Sequence, residues 1–159
     1  MGEYVMTTVT IGGAMVGPGA VTALVAAASV YFAEADTLVR DALANGTSLT
    51  FEDAQDYGLT PGLDAFCRNH GLSYHRAWIA RPGVFDAGVK FWQPGMASPV
   101  EESADDGGKP MITLAALRNC HEAGETLSDV MARLEKAEAS AVPPLTLVVA
   151  AGAARQVTA

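Results

Sequence analysis

Near its start the chain alternates. Thr7-Thr8-Val9-Thr10-Ile11 is a β-branched run with apolar residues two apart, the period of a half-buried strand. Gly12, Gly13, Gly17, Pro18 and Gly19 then break the pattern and predict a turn over 12–19. From Pro18 the apolar spacing becomes i, i+3, i+4, i+7 through Val21, Leu24, Val25 and Ala28, the stripe of a helix with proline in its first turn. A second helix fits 34–45, with acids at its start, Gly46 as its stop, and Leu38, Ala42 and Leu43 turned inward. A short strand is expected at 47–51. Thr60-Pro61 then opens a third helix whose apolar side is Leu63, Phe66 and Cys67 and which ends at Gly71.

The middle of the chain reads as sheet. Strands are expected at 73–80, 89–92 and 99–103, the first two separated by a loop holding Arg81-Pro82-Gly83. The third turns through Asp105-Asp106-Gly107-Gly108 into Met111-Ile112, a hairpin signal because glycine supplies positive φ. Thr113 caps a short helix to Asn119, and Thr126-Leu127-Ser128-Asp129 forms a capping box for a longer one with Leu127, Val130, Met131 and Leu134 on one side. Val142-Pro143-Pro144 stops it, and a last strand is expected at 145–149. The fold class that follows is a single α+β domain over 1–149, mostly an antiparallel sheet with helices packed on one face, and a flexible tail of small residues at 150–159.

Composition sets limits on function. Half of the 159 residues are hydrophobic, enough for a real core. Ten basic residues against 18 acidic ones leave a net charge of −8, which repels phosphate backbones, so direct nucleic-acid binding is not expected. Residues 4–33 carry no charge and meet the length criterion for a membrane span, but the central glycines and proline and the lack of a preceding lysine or arginine favour strand, turn and buried helix over a membrane segment. Two cysteines are too few for a disulfide framework, so a cytoplasmic location is the expectation.

Four constellations invite chemistry. Cys67, His70, His75, Cys120 and His121 are zinc-type ligands, but no C-x-x-C knuckle pins a tetrahedral site, and a buried Cys67 with His70 at a helix C-terminus explains them equally. Cys120 beside His121 offers a thiol and a base without a recognisable nucleophile elbow. The glycines of 12–19 before a helix resemble a phosphate loop but lack both its G-x-G-x-x-G spacing and its lysine. No catalytic residue, metal or cofactor is therefore assigned, and a metal- or thiol-dependent enzyme is the minor reading. The fourth constellation is an aromatic and basic segment in which Phe66, Tyr74, Trp78, Phe85, Phe91 and Trp92 interleave with Arg68, Arg76, Arg81 and Lys90. Such residues are enriched in binding hot spots and equally build the cores of small sheets.

The same segment resembles a family of small uncharacterised proteins carried on bacterial phages and plasmids. The likeness rests on Ile11-Gly12-Gly13, Tyr57-Gly58, the run from Leu63 to Arg76 with its His70-Gly71-Leu72, Phe85-Asp86-Ala87, and Phe91-Trp92-Gln93-Pro94-Gly95-Met96. The chain departs from it at 77–84, where the family carries a polar, charged stretch, and at Gln93, where it carries arginine. The resemblance implies no activity; it marks Arg76, Asp86 and the Pro94-Gly95-Met96 turn as surface features. Taken with the small acidic single-domain architecture and the aromatic, Arg-rich segment beside solvated acids, the resemblance leads to the expectation of a mobile-element protein that binds and masks a protein partner, in its sharpest form an inhibitor of a host-defence complex such as CRISPR-associated machinery, with a virion accessory protein as the alternative. The expected partner is a basic, nucleic-acid-binding protein, met by Arg76, Trp78, Arg81, Asp86, Trp92, Glu101, Glu102, Asp105 and Asp106.

Overall fold

The computed structural model describes residues 2–148, so the expectations for Val149 and for 150–159 lie outside the described residues. A 13-residue strand, β1 (Tyr4–Val16), runs through the centre of the sheet. β2 (Leu49–Asp56) and β3 (Ser73–Trp78) flank it antiparallel, β4 (Gly88–Trp92) and β5 (Val100–Ser103) continue beyond β3, and β6 (Leu145–Val148) pairs parallel with the end of β1. The expected α+β domain with a mostly antiparallel sheet is what forms.

Register divides the side chains between two faces. Val9 opposite Phe51 and Arg76, and Ile11 opposite Leu49 and Tyr74, look to one face. There α1 (Ala20–Ser29), α2 (Ala35–Asn45) and α3 (Pro61–His70) close the main core with Leu24, Ala28, Val39, Leu63 and Cys67, while Phe32 stacks on Phe51 with ring centroids 4.8 Å apart. The expected stops hold: Gly46 and Gly71 end α2 and α3 in the left-handed conformation that lacks a Cβ penalty.

The other face carries Met6, Thr8 and Thr10 of β1, Glu52 of β2, His75 and Ala77 of β3, and Val89 and Phe91 of β4. It is only partly covered. α4 (Leu114–Glu122) leads into α5 (Leu127–Lys136), whose Thr126–Asp129 capping box forms as expected. Arg133 of α5 pairs with Glu102, the neighbour of Val89, and the Ala137 carbonyl just past α5 meets His75, the neighbour of Phe91. α5 thus lies over the β3–β5 end of this second face, an exception to helices on one face. The sequence cause is β4, buried on both sides, so that Val89 and Phe91 need a cover of their own.

Three expectations change. The predicted turn over 12–19 shrinks to 17–19, because β1 continues through both glycines to Val16. Gly12 is there for proximity: a Cβ would overlap the Pro143 carbonyl, which is how the chain leading into β6 reaches β1. The strand expected at 47–51 runs instead from Leu49 to Asp56, so Glu52, Asp53 and Asp56, beyond the expected end, stand exposed on an edge strand, where charged side chains are tolerated. The returning arm at Met111-Ile112 forms no full strand. Pro110 has no N–H to continue the ladder, which ends with the Ala104–Pro110 bridge and one bond from Met111 N–H to the Ser103 carbonyl.

Replacing Gly12 by alanine is expected to force β1 and the 142–144 segment apart and to cost about 1–3 kcal/mol, an overpacking penalty. Urea denaturation would read it as a lowered midpoint, and an unchanged midpoint would contradict the close approach.

Candidate functional site

The nine residues assigned to a partner do not form one surface. Arg76 is 1% exposed, on the core face of β3, with Nη2 3.1 Å from Asp64 Oδ2 and Nη1 donating to the Gly58 carbonyl at 2.6 Å. Trp92 is 7% exposed and donates from Nε1 to the Met96 carbonyl at 3.0 Å. Both are corrected from partner contacts to buried residues, because on interior strands β3 and β4 they share the register of Tyr74 and look to the core face that the helices seal. Arg76 is therefore not the surface feature that the resemblance implied. Trp78 is half-buried; its side chain occupies the space left by Gly58 and Gly88, and its Nε1 donates to the Asp86 carbonyl at 3.0 Å.

The others reach solvent in varying degree. Arg81 is exposed and 2.7 Å from Glu3; Asp86 and Glu101 are exposed. Glu102 is half-buried and neutralised by Arg133. Asp105 closes its own turn by accepting from Lys109 N–H at 2.9 Å. Asp106 is exposed and accepts from Ala80 N–H at 3.2 Å through Oδ1.

The thiol and imidazole groups also part company. Cys67 is fully buried, and burial, with Asp64 adding to it, pushes its thiol far above the usual range, which leaves it unreactive. Cys120 is half-buried and lies 3.5 Å from Arg133 Nη2. His70 stacks on Phe66 with centroids 4.0 Å apart. Among the described residues, no three His, Cys, Asp or Glu side chains converge as a metal site.

What the fold does bring together is a groove of about 370 Å³ on the uncovered half of the second face. Met6, Thr8 and Thr10 of β1 and His75, Ala77 and Trp78 of β3 lie along it, Glu52 comes from β2, and Ile79, the Asp106-Gly107-Gly108 turn and Ala139 complete it. Cross-strand pairing explains much of the grouping, since Thr8 faces both Glu52 and Ala77, and Thr10 faces His75. Among the described residues, no lysine or arginine lines the groove.

His75 is the chemically distinctive member. It is 2% exposed, and its Nε2 is 2.7 Å from the Ala137 carbonyl. A carbonyl can only accept, so Nε2 carries the hydrogen and a neutral ring leaves Nδ1 as a bare acceptor. His75 lines the groove, and among the described residues its ring is hydrogen-bonded through Nε2 alone, which leaves Nδ1 unmet by a protein group. Burial holds the His75 pKa below its ordinary value, and the Ala137 bond offsets this only in part.

Of these groove residues, Trp78 and Asp106 are among those the sequence assigns to a partner and His75 is among the zinc-type ligands, while Thr8 and Thr10 read only as strand alternation and Glu52 falls just beyond the strand expected at 47–51. The alternation signal was present, but whether a helix covers that face depends on where α5 docks, which no local pattern fixes.

Since the folded pKa of His75 lies below its ordinary 6.5, the unfolded chain takes up a proton that the folded chain resists. The stability conferred by the neutral ring is fully present above 6.5 and lost as pH falls through the depressed folded value. Urea midpoints from about pH 7.5 to about pH 5 should therefore fall more steeply for the native protein than for His75→Gln; parallel curves would show that His75 titrates freely.

Comparison with protein-family models, with characterised proteins and with solved structures gave no match.

Proposed function

We propose that this protein is a non-enzymatic binding protein that masks a basic protein partner with the uncovered half of its sheet. The observation that carries the reading is the groove over β1–β3: acceptors and carboxylates line it, and among the described residues no cationic side chain does. The overall charge of −8 adds a long-range attraction for positive surfaces and disfavours nucleic acid as the direct target. A binding role agrees with the states of the nucleophiles and bases: the Cys67 thiol is buried, and neither it nor Cys120 has an imidazole among its hydrogen-bond partners. The likeness to phage- and plasmid-borne proteins supplies the partner class, a nucleic-acid-binding component of host defence such as a CRISPR-associated protein, whose phosphate-binding groove an acidic face would occupy.

The test is affinity capture from the native host, with the captured protein identified by mass spectrometry and binding then measured over a salt series. Capture of a basic protein, with association slowed about tenfold or more by Glu52→Lys/Asp106→Lys and by added salt, is the expected result. Capture of capsid or tail proteins alone would overturn the defence role. Binding indifferent to both charge reversal and salt, or turnover of a small molecule by the purified protein, would overturn the reading itself.

A further inference from the structure

The groove is more selective than an acidic patch. Its side-chain polar atoms are an unusual set in that nearly all have lone pairs to offer: the Glu52 carboxylate, which the Thr8 hydroxyl meets at 3.5 Å, the Asp106 oxygen left over from the Ala80 bond, His75 Nδ1, and the hydroxyls of Thr8 and Thr10, while the Trp78 Nε1–H is spent on the Asp86 carbonyl. Beside them, Met6, Ala77 and Ile79 offer apolar surface. Its volume of about 370 Å³ falls at the small end of ligand sites, which run to about 300–1,000 Å³.

A ligand that fits must carry several donors, no obligatory acceptor, a positive charge, and an apolar stem. Arginine has these properties: five N–H donors in a planar fork on a three-methylene stem. Lysine offers three donors on a compact, strongly hydrated head, which is harder to strip of water in a site this deep. We infer that the groove over β1–β3 is a socket for an arginine side chain, whose guanidinium donates to His75 Nδ1 and the Glu52 and Asp106 carboxylates while its methylenes lie against Met6, Ala77 and Ile79. The inference rests on the proposed basic partner and names the residue that enters the groove. The buried His75 ring makes the socket specific. Because the Ala137 carbonyl holds the Nε2–H tautomer, Nδ1 is oriented as an acceptor before any ligand arrives, and a ligand group without a donor there leaves it unpaired.

The probes are Nα-acetyl-arginine methylamide, its lysine counterpart and the uncharged citrulline counterpart, titrated into the native protein labelled with ¹⁵N. The expected result is saturable movement of the Thr8, Thr10 and Ala77 amide signals and of the His75 Nδ1 resonance by the arginine compound. Lysine should bind at least about fivefold more weakly, and citrulline should leave the resonances in place. Glu52→Gln/Asp106→Asn should weaken the arginine compound about tenfold or more. Thr8→Val, nearly isosteric and remote from the His75–Ala137 bond, should weaken it less and keep the spectrum folded. Equal binding of arginine and citrulline, preference for lysine, or an arginine compound that moves none of these signals while the protein still captures a basic partner would overturn the socket and leave the binding reading standing. Saturable arginine binding in a protein whose captured partners are not basic would overturn that reading and leave the socket.

Discussion

One buried guanidinium holds the architecture together. Arg76 sits in an interior strand of the sheet yet reaches two other segments, Gly58 in the turn after β2 and Asp64 on α3, and lies 5.2 Å from the ring of Trp78 on its own strand, which in turn bonds the Asp86 carbonyl of the β3–β4 loop. Asp64 is completed from its other oxygen by the Thr60 hydroxyl at 2.8 Å, so the N-cap residue of α3 spends its side chain on the carboxylate instead of on a backbone N–H. Removing both charges from water is costly, and such a pair survives only where its remaining donors and acceptors are met. Here they nearly are, Arg76 Nε being the one buried donor left without a partner. The turn it fixes contains Tyr57 at φ +53, the one non-glycine residue with positive φ among those described, a conformation that persists only because its neighbours hold it.

Fixing that side of the sheet decides which side remains open. α1, α2 and α3 seal the core face, and the charge network anchors α3 and the 57–58 turn to β3. The second face has just α5 to cover it, docked at the β4–β5 end through Arg133, which pairs with both Glu102 and Glu125. His75 marks the boundary. On one side its ring is tied to the chain leaving α5, and on the other it looks across β1 toward a strip of threonines. The groove is therefore a consequence of a six-stranded sheet having one full layer of helices and part of another.

Local signals carried most of the fold and little of the site. Gly46, Gly71, Pro61 and the Thr126–Asp129 box each act within a few residues of themselves, so the helices were legible. Gly12 was misread as a breaker because its reason lies with Pro143, more than a hundred residues on. Arg76 was misread as surface because charge usually means exposure. A counter-signal existed: Asp64 lies three residues before Cys67 and next to Leu63, on the inward side of α3, and an inward acid calls for an inward base. Tyr74, on the same face as Arg76, obeys the same logic, since burial pushes its hydroxyl up to about 12 and the Arg68 guanidinium donates to it at 2.9 Å.

The protein's own ion pairs shape what a partner meets. Arg40, Arg76, Arg81 and Arg133 are each within ion-pair distance of a carboxylate of the same chain, so these cations are already neutralised at close range. The exposed pairs, Arg40–Asp36 and Arg81–Glu3, add little stability in water. Their effect is on the field: they remove positive points from the surface while Glu52, Asp53, Asp56, Glu101, Asp105 and Asp106 remain outward. Those carboxylates act over about a Debye length, roughly 8 Å in physiological salt, which governs encounter. Discrimination needs shorter range and directed acceptors, and the groove has these in His75 Nδ1 and its two threonines. Glu52 and Asp106 serve in both roles, while Asp53 and Glu101 add only to the long-range field and His75 Nδ1 and the threonines act only at contact, so salt should tune how fast a partner arrives far more than which side chain the groove admits.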